Sequence, residues 1–279
     1  MALSIQSNAA SNSIQNQLNR TNNHLATALE RLGSGFRVNS AKDDAAGLQI
    51  ATRLNAQARG QEAAIYNINN ANAMLQTAEG AFEEMTNIAY RIKELSTQGA
   101  NGTNNASTWA SINKEVEALT AELTSIMANT TYGADTNLFD ATNGKFSATV
   151  TFQIGANIAE TLDVDVSTEL GDIDTAIAAF AAITDEGTAQ DAMTNVDEVL
   201  AAIGSARASF GATMNRLDHT ANNVNNMLEN TKASVSQILD ADFAKETSNM
   251  TKQQLLLNSG ISVLTAANSS TQMIGSLLR

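Results

Sequence analysis

Apolar residues recur along this chain at two different periods, and the switches between them divide it into elements. Leu217, Ala221, Val224, Leu228, Val235 and Ile238 are spaced 4, 3, 4, 7 and 3, with the polar Thr231 in the one gap. A repeat of about 3.5 residues keeps one stripe facing a partner helix, so the two wind together as a coiled coil. A matching seam runs through Ile65, Ile68, Leu75, Ala78, Phe82, Met85, Ala89 and Ile92, spaced 3, 7, 3, 4, 3, 4 and 3. Two seams, one toward each end, predict a chain whose ends fold against each other. The helix bearing the earlier seam runs from Asp43 to about Gln98, interrupted only by single glycines. At ~55 residues it is a rod of about 80 Å. The stretch from Gly99 to Asn105 is rich in Asn and Gly and reads as a loop. Ile112, Val116, Leu119, Leu123 and Ile126 then stripe a second helix from about Ser107 to Asn129.

Next the period falls to two. Phe146, Ala148, Val150, Phe152 and Ile154 alternate with polar residues, and after a turn at Gly155-Ala156-Asn157 so do Leu162, Val164 and Val166. This predicts a β-hairpin at about residues 146–167 with one buried face. The helical period returns over Ile173–Ile183 and Met193–Met214, and the latter joins the later seam. At the chain's extremities stand two lone stripes. Leu3, Ile14, Leu18, Leu25, Leu29 and Leu32 mark a first helix, and Met250, Leu257, Ile261, Leu264, Ile274 and Leu278 a closing one. The fold class predicted is mainly α, a long antiparallel helical bundle formed by both ends of the chain with a small β-hairpin.

Composition narrows this further. The 279 residues contain no Pro and no Cys, and only 4% are aromatic. Proline breaks helix interiors, so its absence permits long helices; with so few aromatics, a thin extended assembly fits better than a large mixed core. Disulfide and thiolate chemistry are excluded. A net charge of −13 speaks against nucleic acid as a partner, since phosphates demand Lys and Arg. The charge is uneven. Residues 135–200 hold thirteen acids against Lys145 alone, a net of −12, whereas residues 1–42 carry +3. The acidic middle reads as a solvated lobe, with a minimal insert at about 168–200. Met1 to Leu18 has neither the basic start nor the apolar run of a signal peptide, and no stretch approaches the roughly 20 apolar residues of a membrane span.

Candidate chemistry is sparse. Gly33-Ser34-Gly35 lacks the rest of a phosphate-binding loop and reads as a hinge. Ser40 with Asp43 resembles a capping signal for the next helix, and Asp43 and Asp44 suit a helix N-terminus better than a metal. The only histidines, His24 and His219, lie far apart, and no His-Glu-x-x-His motif or catalytic triad occurs. Neither an enzyme nor a cofactor is expected. The terminal stripes carry the functional signal. Each is too narrow to repay its own ordering entropy until something covers it. Copies packed head to tail would cover both and yield an open helical polymer.

Specific residues agree. Leu18-Asn19-Arg20-Thr21, "ERLGSGFRVNSAKDDAAGLQIATRL" from Glu30 to Leu54, "LQTAEGAFEEM" from Leu75, "RIKELSTQGANGTNN" from Arg91 and "FQIGAN" from Phe152 resemble the amino-terminal region of bacterial flagellins. "RASFGATMNRLDHTANNVNNMLENTKASVSQILDADFAKE" from Arg207 and "SLLR" from Ser276 resemble the carboxy-terminal region. The chain resembles a short flagellin without large outer domains, and "MALSIQSNAAS" with "ERLGSG" is similar to lateral-type members. Two positions depart from the family's pattern: Ala267-Asn268-Ser269-Ser270-Thr271 is not followed by Pro, and Tyr90 stands where Gln is common.

The resemblance implies a structural subunit of an extracellular flagellar filament, exported without a cleaved signal. A hook–filament junction protein or a secreted adhesin-like component is the alternative. It implies an inner helical pair, residues 1–42 plus 240–279, and an outer rod, residues 43–239. Besides itself, the implied partners are the export apparatus and an export chaperone, the filament cap, hook-junction proteins and a host Toll-like receptor. For the receptor, Arg91-Ile92-Lys93-Glu94-Leu95 resembles the family's Arg-x-x-Glu-Leu recognition motif. Arg91 and Leu95, four apart, are expected on one helix face, with Glu115 alongside.

Overall fold

A computed structural model describes residues 8–133, 137–140 and 143–277, without the side chains of 271–277. The elements run α1 (Ala9–Ser34), α2 (Ala45–Gly99), α3 (Ala106–Asn129), a 3-10 turn (Lys145–Ser147), β1 (Val150–Gln153), β2 (Thr161–Val164), α4 (Ser167–Ala178), α5 (Glu186–Leu239) and α6 (Phe243–Leu277). The fold is mainly α with one small antiparallel hairpin. Its packing forms two units: a central one, Arg59–Leu228, and a terminal one built from Met1–Ala58 and Glu229–Arg279. Helices α2 and α5 contribute residues to both.

In the central unit α2 and α5 run antiparallel. Lys93 of α2 pairs with Asp197 at 2.5 Å, Glu79 with Arg207 at 2.7 Å, and Asn72 donates to Asp218 at 3.0 Å. Between these polar edges Leu75, Phe82, Met85, Ile92, Leu217 and Val224 are buried. The heptad spacing makes this possible, because it returns an apolar side chain to the same seam every turn or so. At the centre Phe82 stacks on Phe139 at 4.7 Å and on Phe210 at 5.6 Å, and Phe146 meets Phe210 at 4.9 Å. Each buried ring contributes roughly 2–3 kcal/mol of transfer free energy. The cluster ties α2, the loop after α3, the 3-10 turn and α5 into one core.

The hairpin pairs Val150 with Val164 and Phe152 with Leu162, so its strands are shorter than the predicted span of 146–167. At its start, the Ser147 amide and hydroxyl both donate to the Gly144 carbonyl, at 3.2 and 2.7 Å. That turn puts the buried Phe146 in a 3-10 turn and leaves Ala148 exposed. At its far end the Gln153 amide nitrogen reaches the carbonyls of Gly155, Asn157 and Glu160 at 2.9, 2.6 and 3.1 Å, which stops the ladder. The tip rests on α2 at Gly60, where an added Cβ would stand 2.8 Å from the Ala156 Cβ.

Residues 167–200 are more than a solvated lobe. Leu170, Ile173, Ile177, Ile183, Val196 and Val199 are buried in the common core, while Asp172, Asp174, Asp191, Asp197 and Glu198 are exposed. The helix predicted to reach Ile183 stops at Ala178, and α5 starts at Glu186 rather than near Met193. Side-chain capping sets that start. The Asp185 carboxylate accepts from the Thr188 amide at 2.8 Å, and the Thr188 hydroxyl accepts from the amides of Thr184 and Asp185, both at 3.0 Å.

In the terminal unit α1 and α6 are antiparallel. Asn8 caps α1, accepting from the Ser11 amide at 3.0 Å, and donates to the Ala267 carbonyl at 3.2 Å. Gly35, at φ 76°, ends α1. The chain beyond it is laced to the α5–α6 junction: Arg37 donates from its amide to the Leu239 carbonyl at 2.6 Å and from its guanidinium to the Ile238 carbonyl at 2.8 Å. The cap of α2 is Asp44, which accepts from the Gly47 amide at 2.8 Å. The Asp43 carboxylate instead accepts from the amide and hydroxyl of Ser40, at 2.9 and 3.0 Å, closing a turn ahead of the helix.

Candidate assembly and recognition surfaces

The α1–α6 pair holds most of the residues expected to drive self-assembly. Ile14, Leu18, Leu25 and Leu32 on α1, and Met250, Leu257 and Leu264 on α6, are half-buried. Leu18 lies over Gly260, where an added Cβ would meet the Leu18 Cδ2 at 2.7 Å. Arg31 pairs with Glu246 at 3.1 Å; the carboxylate side chain is 9% exposed and also accepts from Asn249 at 3.3 Å. Removing Arg31 would strand a nearly buried charge. Leu29 and Ile261, expected in the same stripes, are each 50% exposed and point away from the pair. Leu3 and Leu278 lie outside the described residues, as does the side chain of Ile274.

Helix α6 carries further exposed apolar residues outside the predicted stripe. Phe243 and Leu255 are each 65% exposed, and Leu256, Ile261 and Val263 are about half exposed. Phe243, Leu255 and Leu256 line an open groove with Thr247, Thr251 and Lys252. Leu256 and Val263 border α1, lining a groove with Ile14, Leu18 and Thr21, so the apolar residues of α6 exposed away from α1 are Phe243, Leu255 and Ile261. A period-based reading selects one stripe by construction. The warning in the sequence is the run Leu255-Leu256-Leu257, which no single face can absorb.

Of the later-seam residues, Leu217 and Val224 are buried, whereas Leu228, Val235 and Ile238 are half-buried. On the exposed side of α2, Arg91 bonds Glu115 of α3 through Nε at 3.0 Å and Nη2 at 2.7 Å, and Glu94 through Nη1 at 3.0 Å. These hydrogen bonds, Glu115's first, hold the Arg91 pKa above its ordinary value. Both partners are about half exposed, so the cluster adds little to folding. It presents a fixed planar guanidinium beside two carboxylates. Leu95 is not the exposed anchor expected beside it. At 4% exposure it belongs to the core. Four residues on is a rotation of about 40° around the helix, enough to turn Leu95 from the Arg91 edge into the buried seam. Tyr90 is exposed next to Arg91.

His24 lies in the terminal unit and His219 in the central one, both exposed. Among the described residues no group of three or more His, Cys, Asp or Glu is placed to hold a metal. None of their helices is long and apolar enough to cross a membrane.

Comparison with known proteins decides the family. The bacterial flagellin N-terminal helical region matches residues 5–144, and the bacterial flagellin C-terminal helical region matches 193–278. The chain belongs to the bacterial flagellin family. Flagellin of Halalkalibacterium halodurans is 39% identical over 90% of this chain and 91% of its own. Flagellin D of Vibrio anguillarum is 32% identical with both chains covered in full, in an alignment of 381 positions against the 279 residues here. The present chain is thus a short flagellin. A solved structure described as a flagellar hook-associated protein of Vibrio parahaemolyticus shares the fold, with a TM-score of 0.57 and 16% identity over 71% of this chain and all of its own. The amino-terminal match takes in α1 to α3, and the carboxy-terminal match takes in α6 and all but the start of α5. The hairpin and α4 fall between the two.

Proposed function

We infer that the chain is the repeating structural subunit of a bacterial flagellar filament, polymerising with copies of itself into an extracellular helical tube used for motility. The family is a structural one. The observation that carries the mechanism is α6, which packs against α1 and still leaves Phe243, Leu255 and Ile261 exposed on the rest of its surface. A neighbouring subunit covers that surface, and residues 1–42 with 240–279 form the inner wall of the tube. Residues 43–239 stand outside them, with the acidic surface of 135–200 toward solvent, where its charge is screened. Ile14, Leu18, Leu25 and Leu32 hold α1 on α6. Leu29, Phe243, Leu255 and Ile261 meet the neighbours. Until assembly those residues need cover, which fits passage through an export apparatus with a dedicated chaperone and placement under a filament cap above hook-junction proteins.

The test pairs Phe243→Lys with Leu255→Lys and follows polymerisation by sedimentation and electron microscopy. Wild type should give long tubes, and the double variant none, with unchanged thermal unfolding of the central unit. Tubes from the double variant at wild-type concentration would end this assignment.

The Arg91–Glu94–Glu115 surface is the candidate for recognition of released monomer by a host Toll-like receptor. In a receptor reporter assay, Arg91→Ala and Glu115→Ala should weaken the response at unchanged stability. Leu95→Ala should act only through lost packing. A full response from both charge variants would remove the site.

A further inference from the structure

We propose that Asn101 is a site of spontaneous amide hydrolysis through its glycine neighbour, and that Asn143 is shielded from the same reaction. The two Asn-Gly pairs of this chain are Asn101-Gly102 and Asn143-Gly144. In such a pair the backbone nitrogen of Gly, deprotonated by solvent base, attacks the Asn side-chain carbonyl carbon. A C–N bond forms, and the side-chain nitrogen takes up a proton and leaves as ammonia. Water then opens the resulting five-membered imide at either carbonyl, giving aspartate or isoaspartate. The balance is amide plus water to carboxylate plus ammonium; nothing is oxidised or reduced.

Three features of the α2–α3 corner favour the reaction. Asn101, Gly102 and Thr103 are all exposed, so base and water reach them. The Gly102 amide makes no hydrogen bond among the described residues, so the nucleophile is not committed to an acceptor. The Thr103 amide donates to Asn101 Oδ1 at 3.1 Å, where negative charge develops when the carbonyl carbon turns tetrahedral. At the second pair the arrangement is reversed. Gly144 is buried, and its amide donates to the Asp140 carbonyl at 2.8 Å. That nitrogen must give up a hydrogen bond before it can attack.

The product matters at the first site because of its surroundings. A new carboxylate would arise just beyond the C-terminus of α2, where the helix dipole disfavours it. Glu186 is already near, its Oε2 3.7 Å from where a Gly102 Cβ would lie. Isoaspartate would also lengthen the backbone by one carbon in a corner held tight by side chains. Asn104 Nδ2 bonds the Gln98 carbonyl at 2.6 Å, and Trp109 Nε1 bonds the Gly99 carbonyl at 2.8 Å. The single Trp of the chain therefore reports on this corner.

The experiment incubates full-length protein in mildly alkaline buffer, folded and in denaturant. It counts acid at each Asn by peptide mass spectrometry, isoaspartate by enzymatic methyl labelling, and follows Trp109 emission. In the folded protein Asn101 should convert at least roughly fivefold faster than Asn143, the factor one net hydrogen bond is worth. In denaturant the two rates should converge, and Trp109 emission should shift in step with conversion at Asn101. Equal rates in the folded protein, or an Asn101 that converts only when unfolded, overturns the proposal.

Discussion

Gly260 gives a test in which two effects of known size oppose each other. Alanine is the better helix former by about 1 kcal/mol in a helix interior, so Gly260→Ala in α6 should stabilise if local propensity decides. Contact with α1 argues the other way. The new methyl would stand 2.7 Å from Leu18 Cδ2 and 3.2 Å from its Cγ. Relief needs a rotamer change of Leu18 or a wider α1–α6 spacing, at about 1–3 kcal/mol for an overpacked contact. The net expectation is a loss of up to about 2 kcal/mol, the difference of those two figures. Gly204 in α5 is the control: it is exposed, and an added Cβ there has nothing within 4 Å, so Gly204→Ala should gain the propensity term undiminished. The assay is amide hydrogen exchange on the assembled protein, read separately over α1, α6 and the central part of α5. Gly260→Ala should speed exchange in α1 and α6 up to about thirtyfold, since a factor of ten corresponds to 1.4 kcal/mol. In a Leu18→Ala background the same substitution should slow exchange in α6, because the clash is gone and only propensity remains. If Gly260→Ala slows exchange in the presence of Leu18, the α1–α6 packing described above is wrong.

Three further outcomes are expected. Phe210→Ala removes the ring that joins Phe82 to Phe146 and should cost about 3–5 kcal/mol in denaturant unfolding; a cost near that of a surface change would dissolve the aromatic core. Gly60→Val should displace the hairpin tip from α2, since even the Ala156 Cα would lie 3.3 Å from the first added carbon, and should expose Phe152 and Ile154 to exchange. The amide and hydroxyl of Thr188 hold the Asp185 carboxylate below its ordinary pKa. A depressed folded pKa gives stability that is present above the unfolded value and lost as pH falls through the folded one. Below the usual carboxylate range, protection of the first α5 turn should therefore fade in wild type, and Asp185→Asn should flatten that dependence.

Much of the fold was legible because long helices with a narrow apolar seam leave a strong periodic trace. The ends of α2 and α3 fell within two residues of expectation, and the seam through Leu75, Phe82, Met85 and Ile92 is buried throughout. Legibility failed where period carries no information. Leu138 and Phe139 are buried in a loop without repeat, where the Leu138 amide donates to the Thr130 carbonyl and the Phe139 amide to Asn137 Oδ1. Phe146 keeps the parity of a strand residue although a turn holds it. Leu95 shows the limit of face arguments from spacing alone, because one helical turn rotates far enough to move a side chain from surface to seam. In α6 apolar residues are too evenly spread for any period to choose a side, so spacing assigns Ile261 to the inward stripe and Leu255 to none.

That even spread in α6 has a thermodynamic consequence. A subunit whose terminal helix leaves large apolar residues exposed among polar ones has its solubility and its polymer strength set by one surface. The free concentration it can sustain equals the dissociation constant of the growing end. Each 1.4 kcal/mol added to the contact lowers that concentration tenfold. Substitutions on the open side of α6 that toughen the polymer must thin the pool of loose subunits by the same factor. Those that keep the subunit soluble must let the polymer shed from its tip.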